Sequence, residues 1–194
     1  MGSVIIGVLA LQGDFAKHIV TLQSLGIETK EVRKPEDLDD CSALIIPGGE
    51  STVISRRIDF IQMRKTLARF AETKPLFGTC AGLILMAHEV ESAPFEPLKL
   101  LDIKVERNAY GRQVESFQAP IELNLEAGHP KFFRAVFIRA PVIRVSGPGV
   151  EVLATHNGAP VLVRQGRHLG ATFHPELTSD PVIHRYFLST VTES

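Results

Sequence analysis

Residues 4–9, Val-Ile-Ile-Gly-Val-Leu, form a continuous and largely β-branched apolar run. That is the pattern of a central parallel strand buried on both faces. Phe15, Ile19, Leu22 and Leu25 then recur at helical spacing, with Asp14 placed to cap the helix and Gly26 to end it. Residues 27–32 predict a second, more polar strand, and residues 35–40 a loop. Ala43-Leu44-Ile45-Ile46 predicts a third strand, stopped by Pro47-Gly48-Gly49. Residues 51–70 predict one helix, Leu76-Phe77 the end of a fourth strand, and residues 81–88 the helix after it. This alternation predicts an α/β fold with an open, mostly parallel sheet and helices on both faces.

The second half reads differently. Short β-rich runs at 102–106, 121–125, 135–138, 150–155, 160–164 and 168–173 alternate with turn residues. Asn157-Gly158 predicts a hairpin between two of them. A last helix is expected over residues 181–191. No repeat or linker interrupts the pattern, so residues 1–194 are expected to form one domain. In open parallel sheets, ligands bind beyond the carboxyl ends of the strands. Gln12, Gly48 to Ser51, and Cys80 all fall just past such ends.

Composition narrows the classes. Of 194 residues, 44% are hydrophobic and 22% charged, enough for a well-buried core, and the formal charge of -1 gives no sign of a nucleic acid or anionic membrane partner. The apolar run 4–11 is broken by Gly7 and is far shorter than the about 20 residues of a membrane span. Cys41 and Cys80 lie in unlike contexts, which argues against a disulfide framework and for a reducing, cytoplasmic setting.

Cys80 stands in Gly78-Thr79-Cys80-Ala81-Gly82, the cysteine form of the G-x-S-x-G bend that holds a nucleophile between strand and helix. A helix N-terminus and a nearby imidazole both favour a thiolate. The alternative is a buried structural cysteine, the usual fate of a free one; Cys41, without such flanks, is read that way. Far downstream, His174-Pro175-Glu176 ends another apolar run. Pro175 biases His174 toward an extended backbone, in which residues two apart face the same way, so Glu176 can fix the imidazole tautomer. A histidine at a strand end beside a surface glutamate is the plainer reading of the tripeptide alone.

Pro47-Gly48-Gly49-Glu50-Ser51-Thr52 can aim backbone N–H groups at an anion or an oxyanion, or it can be an ordinary strand-to-helix turn. It lacks the Gly-Lys-Ser/Thr ending of a phosphate-binding loop. Arg107 opens the donor-rich stretch to Gln113, and Arg139 follows Phe137-Ile138; either arginine can pair with a substrate carboxylate or be merely solvated. His18, His88, His129, His156, His168 and His184 show no metal-ligand spacing and are expected to be structural or surface residues; no metal is expected.

Cys80 in its bend with a late His-Pro-Glu resembles the class I, or triad-type, glutamine amidotransferases, whose sheet is flavodoxin-like. The blocks 9–13, 47–52, 77–83, 107–108, 111–113, 137–141 and 173–178 more closely resemble the glutaminase subunits of pyridoxal 5'-phosphate synthase, the PdxT family. The resemblance runs in order from residue 9 to residue 178. It implies that Cys80 attacks the side-chain amide of L-glutamine, with His174 and Glu176 completing a triad. It implies an oxyanion site at Gly48, Gly49 and Ala81. Gly49, Glu50, Ser51, Arg107, Ile138 and Arg139 match the family's glutamine-binding positions. No cofactor is expected, and the resemblance implies release of ammonia to a separate (β/α)8 synthase subunit that makes the vitamin. The family's glutaminase is poorly active until docked, with the oxyanion loop and the Gln12 region responding to the partner. Lys17 stands where an acidic residue is usual and Lys99 where glycine is common. The rival readings are the glutaminase of another pathway, such as imidazole glycerol phosphate synthase, and a non-catalytic scaffold. A general α/β-hydrolase has its acid before its histidine, the reverse of the order here.

Overall fold

A computed structural model of the chain describes residues 4–107, 116–125 and 131–192. The donor-rich residues 108–113 and His129 therefore lie outside the described residues. Strand β1 (Ile5–Leu9) leads into helix α1 (Phe15–Ser24), followed by β2 (Glu28–Val32), a 3-10 turn (Pro35–Leu38) and β3 (Ala43–Ile46). Next come α2 (Ser51–Phe60), α3 (Arg64–Thr73), β4 (Leu76–Thr79), α4 (Ala81–Met86) and β5 (Ala87–Glu91). The second half adds β6 (Leu101–Glu106), β7 (Ser116–Leu123), β8 (Lys131–Ile138), β9 (Val142–Ser146), β10 (Glu151–His156), β11 (Ala159–Gln165) and β12 (His168–Ala171). A 3-10 turn (Pro175–Leu177) and α5 (Val182–Thr192) follow.

The main sheet runs β10-β11-β12-β4-β3-β1-β2. From β12 to β2 every pairing is parallel, while β11 and β10 extend the edge antiparallel. The pleat explains the layers. Ala43 and Ile45 pack into the core on one face, Leu44 and Ile46 into the core on the other. Each fully buried Leu or Ile contributes roughly 1.5–3 kcal/mol. The parallel sheet, its flanking helices and the hairpin between β10 and β11 agree with the sequence pattern.

Four local differences have physical causes. The helix expected over 51–70 is two helices, because Gln62 adopts φ 57° and drops Met63 into full burial. The helix expected over 81–88 ends at Met86, where the chain turns directly into β5. There Leu98 and Leu100 donate backbone hydrogen bonds to Leu85 and Met86, which takes up carbonyls that a longer helix would need. The loop at 35–40 contains a 3-10 turn held by the Asp37 carboxylate, which accepts from the N–H groups of Arg33 and Lys34. Finally, β5, β6 and β9 form a separate three-stranded sheet and β7 and β8 a two-stranded one. β5 and β9 have no counterpart among the runs expected from the pattern.

Strand order places the site. β1 and β3 are neighbours although β2 lies between them in sequence, so the winding reverses there and opens a crevice at the carboxyl ends. β12 lies beside β4 with Ala171 opposite Thr79, so the segments that follow both strands emerge side by side. One carries Cys80, the other His174.

Candidate active site

Cys80 sits between β4 and α4 with φ 48° and ψ −103°, a conformation that non-glycine residues rarely adopt. Its neighbours hold it there. The Cys80 N–H donates to the Ala171 carbonyl at 2.8 Å, tying the bend to β12. Gly82 runs so close to the Ile46 carbonyl that any side chain at 82 would collide with it. The thiol lies 3.8 Å from the Ile138 carbonyl, and Cys80 is 6% exposed.

His174 is anchored by its N–H, which donates to the Val136 carbonyl at 2.8 Å. Its Nδ1 lies 2.7 Å from Glu176 Oε1, and both side chains are buried. The expected bond forms, although Glu176 reaches the ring from a 3-10 turn rather than from an extended segment. Burial works against a charged imidazole here. Hydrogen bonding to Cys80 and Glu176, together with their negative charge, outweighs it and raises the His174 pKa to about 10. Since Nδ1 is engaged by Glu176, Nε2 is the ring nitrogen left for the thiol or for substrate.

The Gly48-Gly49 loop closes over this pair. A side chain at Gly48 would run into the His174 ring, so only glycine lets the loop come this near. Gln12 Oε1 accepts the Glu50 N–H at 2.8 Å, and Asp14 N–H donates to the Gly48 carbonyl at 3.2 Å. Glu50 is the N-cap of α2, accepting from the N–H groups of Thr52 and Val53 at 3.0 and 2.8 Å. Partial burial opposes its ionised form, but those bonds and the Arg107 charge hold its carboxyl below the usual range. Arg107 lies 3.7 Å from Glu50 Oε1, donates to Thr52 Oγ1 at 3.3 Å and stacks over Phe95.

A cavity of about 520 Å³ opens on these groups, ample for an amino acid. Gly49, Glu50, Ser51, Arg107, Ile138 and Arg139, the six positions expected to bind substrate, all line it, as do Cys80, His174 and Gln12. Gly48 and Ala81 lie outside the lining: Gly48 packs on the imidazole and Ala81 opens α4 behind the thiol. Glu176 stands behind His174. Sequence reasoning missed Asp14 and Ile84 in the wall. Of the structural or surface places expected for His18 and His184, the structure gives both the structural one, wholly buried, and it sets His18 3.4 Å from Glu176, a contact the sequence did not indicate. His18 lies three residues after Phe15 and four before Leu22, on the apolar stripe of α1, and that spacing was the available signal. Asp14, His174 and Glu176 bring possible metal-ligand atoms within 4.8 Å, but the His174–Glu176 bond already occupies one atom of each.

The sequence profile of the SNO glutamine amidotransferase family matches residues 8–193. The chain belongs to that family. Among members of this amidotransferase family, the pyridoxal 5'-phosphate synthase subunit PdxT of Thermosipho africanus is 52% identical over 187 residues, covering 96% of this chain and 98% of the relative. The subunit of the same name from Thermus thermophilus is 54% identical over 187 residues, covering 95% and 96%. A crystal structure of a glutamine amidotransferase superposes with a TM-score of 0.90 at 52% identity, covering 96% of this chain and 98% of that one. The structure of PurLQS from Thermotoga maritima superposes with a TM-score of 0.65 at 16% identity, covering 100% and 99%, a likeness of fold alone.

Proposed function

We propose that the protein is the glutaminase subunit of a pyridoxal 5'-phosphate synthase, hydrolysing L-glutamine to glutamate and ammonia for vitamin B6 synthesis. The observation that carries the chemistry is the buried Cys80–His174–Glu176 cluster opening on an amino-acid-sized cavity. In this reading the Cys80 sulfur attacks the side-chain amide carbon of glutamine. The N–H groups of Gly48, Gly49 and Ala81 receive the tetrahedral oxyanion. The imidazolium of His174 gives a proton to the departing nitrogen, so ammonia leaves and a glutamyl thioester remains. Water, deprotonated by His174, cleaves the thioester to glutamate and restores the thiol. Glu176 holds the ring in the tautomer that keeps Nε2 facing the reaction.

Gly49, Glu50, Ser51, Arg107, Ile138 and Arg139 are assigned to the glutamine backbone and stem. An arginine suits the α-carboxylate and the Glu50 carboxylate suits the α-ammonium. Residues 1–194 act as one glutaminase domain. The partner is a synthase subunit of (β/α)8 architecture, to which ammonia passes directly, with Gln12 and the loop it holds responding to docking. The setting is cytoplasmic; two free cysteines are consistent with it, and among the described residues no helix is long and apolar enough to cross a membrane. The deciding experiment mixes the purified chain with the synthase of the same organism and follows glutamate release. Turnover is expected with the wild-type chain and none with Cys80→Ala; retained turnover in that variant rejects the mechanism.

A further inference from the structure

Glu176 has two carboxylate oxygens, and only Oε1 is engaged by His174. Oε2 is buried and, among the described residues, has no hydrogen-bond partner of ordinary geometry. A buried carboxylate oxygen with no donor is costly. Facing it at 3.4 Å is Nε2 of His18, a fully buried ring on α1. The same Nε2 lies 3.2 Å from Thr79 Oγ1, one residue before the nucleophile. On its other side, Nδ1 lies 3.0 Å from Nε2 of His184 on α5. Phe77 of β4 meets both rings edge-on, at 6.5 and 6.2 Å between centroids, and so limits their rotation.

The chemistry of the neighbours assigns the protons. Burial, with the neighbouring imidazoles of His184 and His174 disfavouring a further positive charge, holds His18 far below its ordinary pKa, and burial brings His184 to about 4, so both rings are neutral. Each therefore has one donor and one acceptor nitrogen. A carboxylate only accepts, so His18 Nε2 carries the proton. His18 Nδ1 then accepts from the Nε2–H of His184, leaving the His184 Nδ1 lone pair unpartnered among the described residues. The opposite assignment sets the His18 Nε2 lone pair against the carboxylate and buries an unpaired N–H on His184, which costs more.

We infer that His18 is a positioning residue for the triad: its single Nε2–H is shared between Thr79 Oγ1 and the outer oxygen of Glu176, tying the triad acid to the strand that carries Cys80. Backed by His184, it fixes the carboxylate that fixes His174. It does not touch glutamine, since it lies behind the carboxylate and outside the cavity wall. The inference rests on the glutaminase reading for its kinetic consequence, and on geometry for the proton placement.

The test compares wild-type chain, His18→Met and His18→Gln, each bound to the synthase, with Cys80→Ala as the blank. Met and Gln have similar length and suit a helix, but only Gln carries an N–H near the place of Nε2. His18→Met is expected to lower kcat about tenfold or more while KM stays within about twofold, and His18→Gln to recover most of the loss. Wild-type kcat in His18→Met, or equal loss in both variants, overturns the inference. If His18→Met does not fold, long-range proton–nitrogen NMR correlations on the wild-type chain decide: a proton on Nε2 of His18 supports it, and one on Nδ1 overturns it. A wild-type complex that releases no glutamate defeats the glutaminase reading instead, and the same NMR measurement still decides the place of His18.

Discussion

Gln12 Oε1 accepts the backbone N–H of Glu50 at 2.8 Å, joining the loop after β1 to the loop after β3 across the reversal in strand order. The bond holds the Gly48-Gly49 segment against His174 from outside the triad. A glutamine just past β1 therefore sets the geometry of a loop 38 residues further on.

Gln12→Ala removes this tether while leaving every proposed acid, base and nucleophile in place. It is expected to lower kcat for glutamine in the synthase complex by about tenfold or more, since a misplaced oxyanion donor costs on the order of 10²-fold. Thermal unfolding should change by only a few degrees, because the bond is partly solvent-exposed. An unchanged kcat would show that the loop holds its shape without Gln12.

Glu176→Gln preserves shape and removes charge. With the carboxylate gone, one of the two groups that raise the His174 pKa to about 10 is lost, and the pKa should fall toward 6.5. Glutamine turnover should drop by roughly 10²–10⁴-fold, as for a general acid–base pair with its orienting member disabled. An NMR titration of His174 alongside glutamate release checks both, and a His174 pKa still near 10 in this variant would contradict the pairing.

Gly82→Ala should fail structurally. The added methyl would meet the Ile46 carbonyl, part of the sheet itself, and no flexible side chain is there to yield. A loss of roughly 1–3 kcal/mol is expected from overpacking, read as a shifted urea midpoint. Wild-type stability in this variant would mean that α4 can draw away from β3 at no cost.

Stability should peak between two pH limbs. His174, with its folded pKa raised to about 10, stabilises the fold fully below the ordinary 6.5 and loses that contribution as pH rises toward 10. His168 and His184 are lowered to about 4, chiefly by burial, and for His168 also by Arg167. They stabilise the fold fully above 6.5 and lose that contribution as pH falls toward 4. Urea midpoints should therefore decline on both sides. His174→Gln should flatten the alkaline limb and His184→Gln the acid limb; unchanged limbs in these variants would assign the pH dependence to other groups.

Much of this architecture was readable along the chain because its signals are local. Val4 to Leu9 and Ala43 to Ile46 are apolar on both faces, which only a strand in the middle of a covered sheet requires. The break at Gln62 was not readable, since residues 51–70 keep helical periodicity and only the burial of Met63 explains the interruption. β5 was hidden because Ala87-His88-Glu89-Val90-Glu91 continues directly from a helix with no turn residue between.

By itself the sequence determined which residue types were on hand: a thiol on a glycine-flanked bend, a histidine followed two residues later by a glutamate, and a pair of glycines after a strand. Those follow from short-range constraints, where a single bend or strand end dictates the residue. Only the tertiary structure decided that β12 pairs with β4, bringing Cys80 beside His174, and that α1 and α5 each bury a histidine behind Glu176. Such meetings join residues up to 166 positions apart. They depend on which surfaces pack together, and no local pattern of hydrophobic and polar residues encodes that choice.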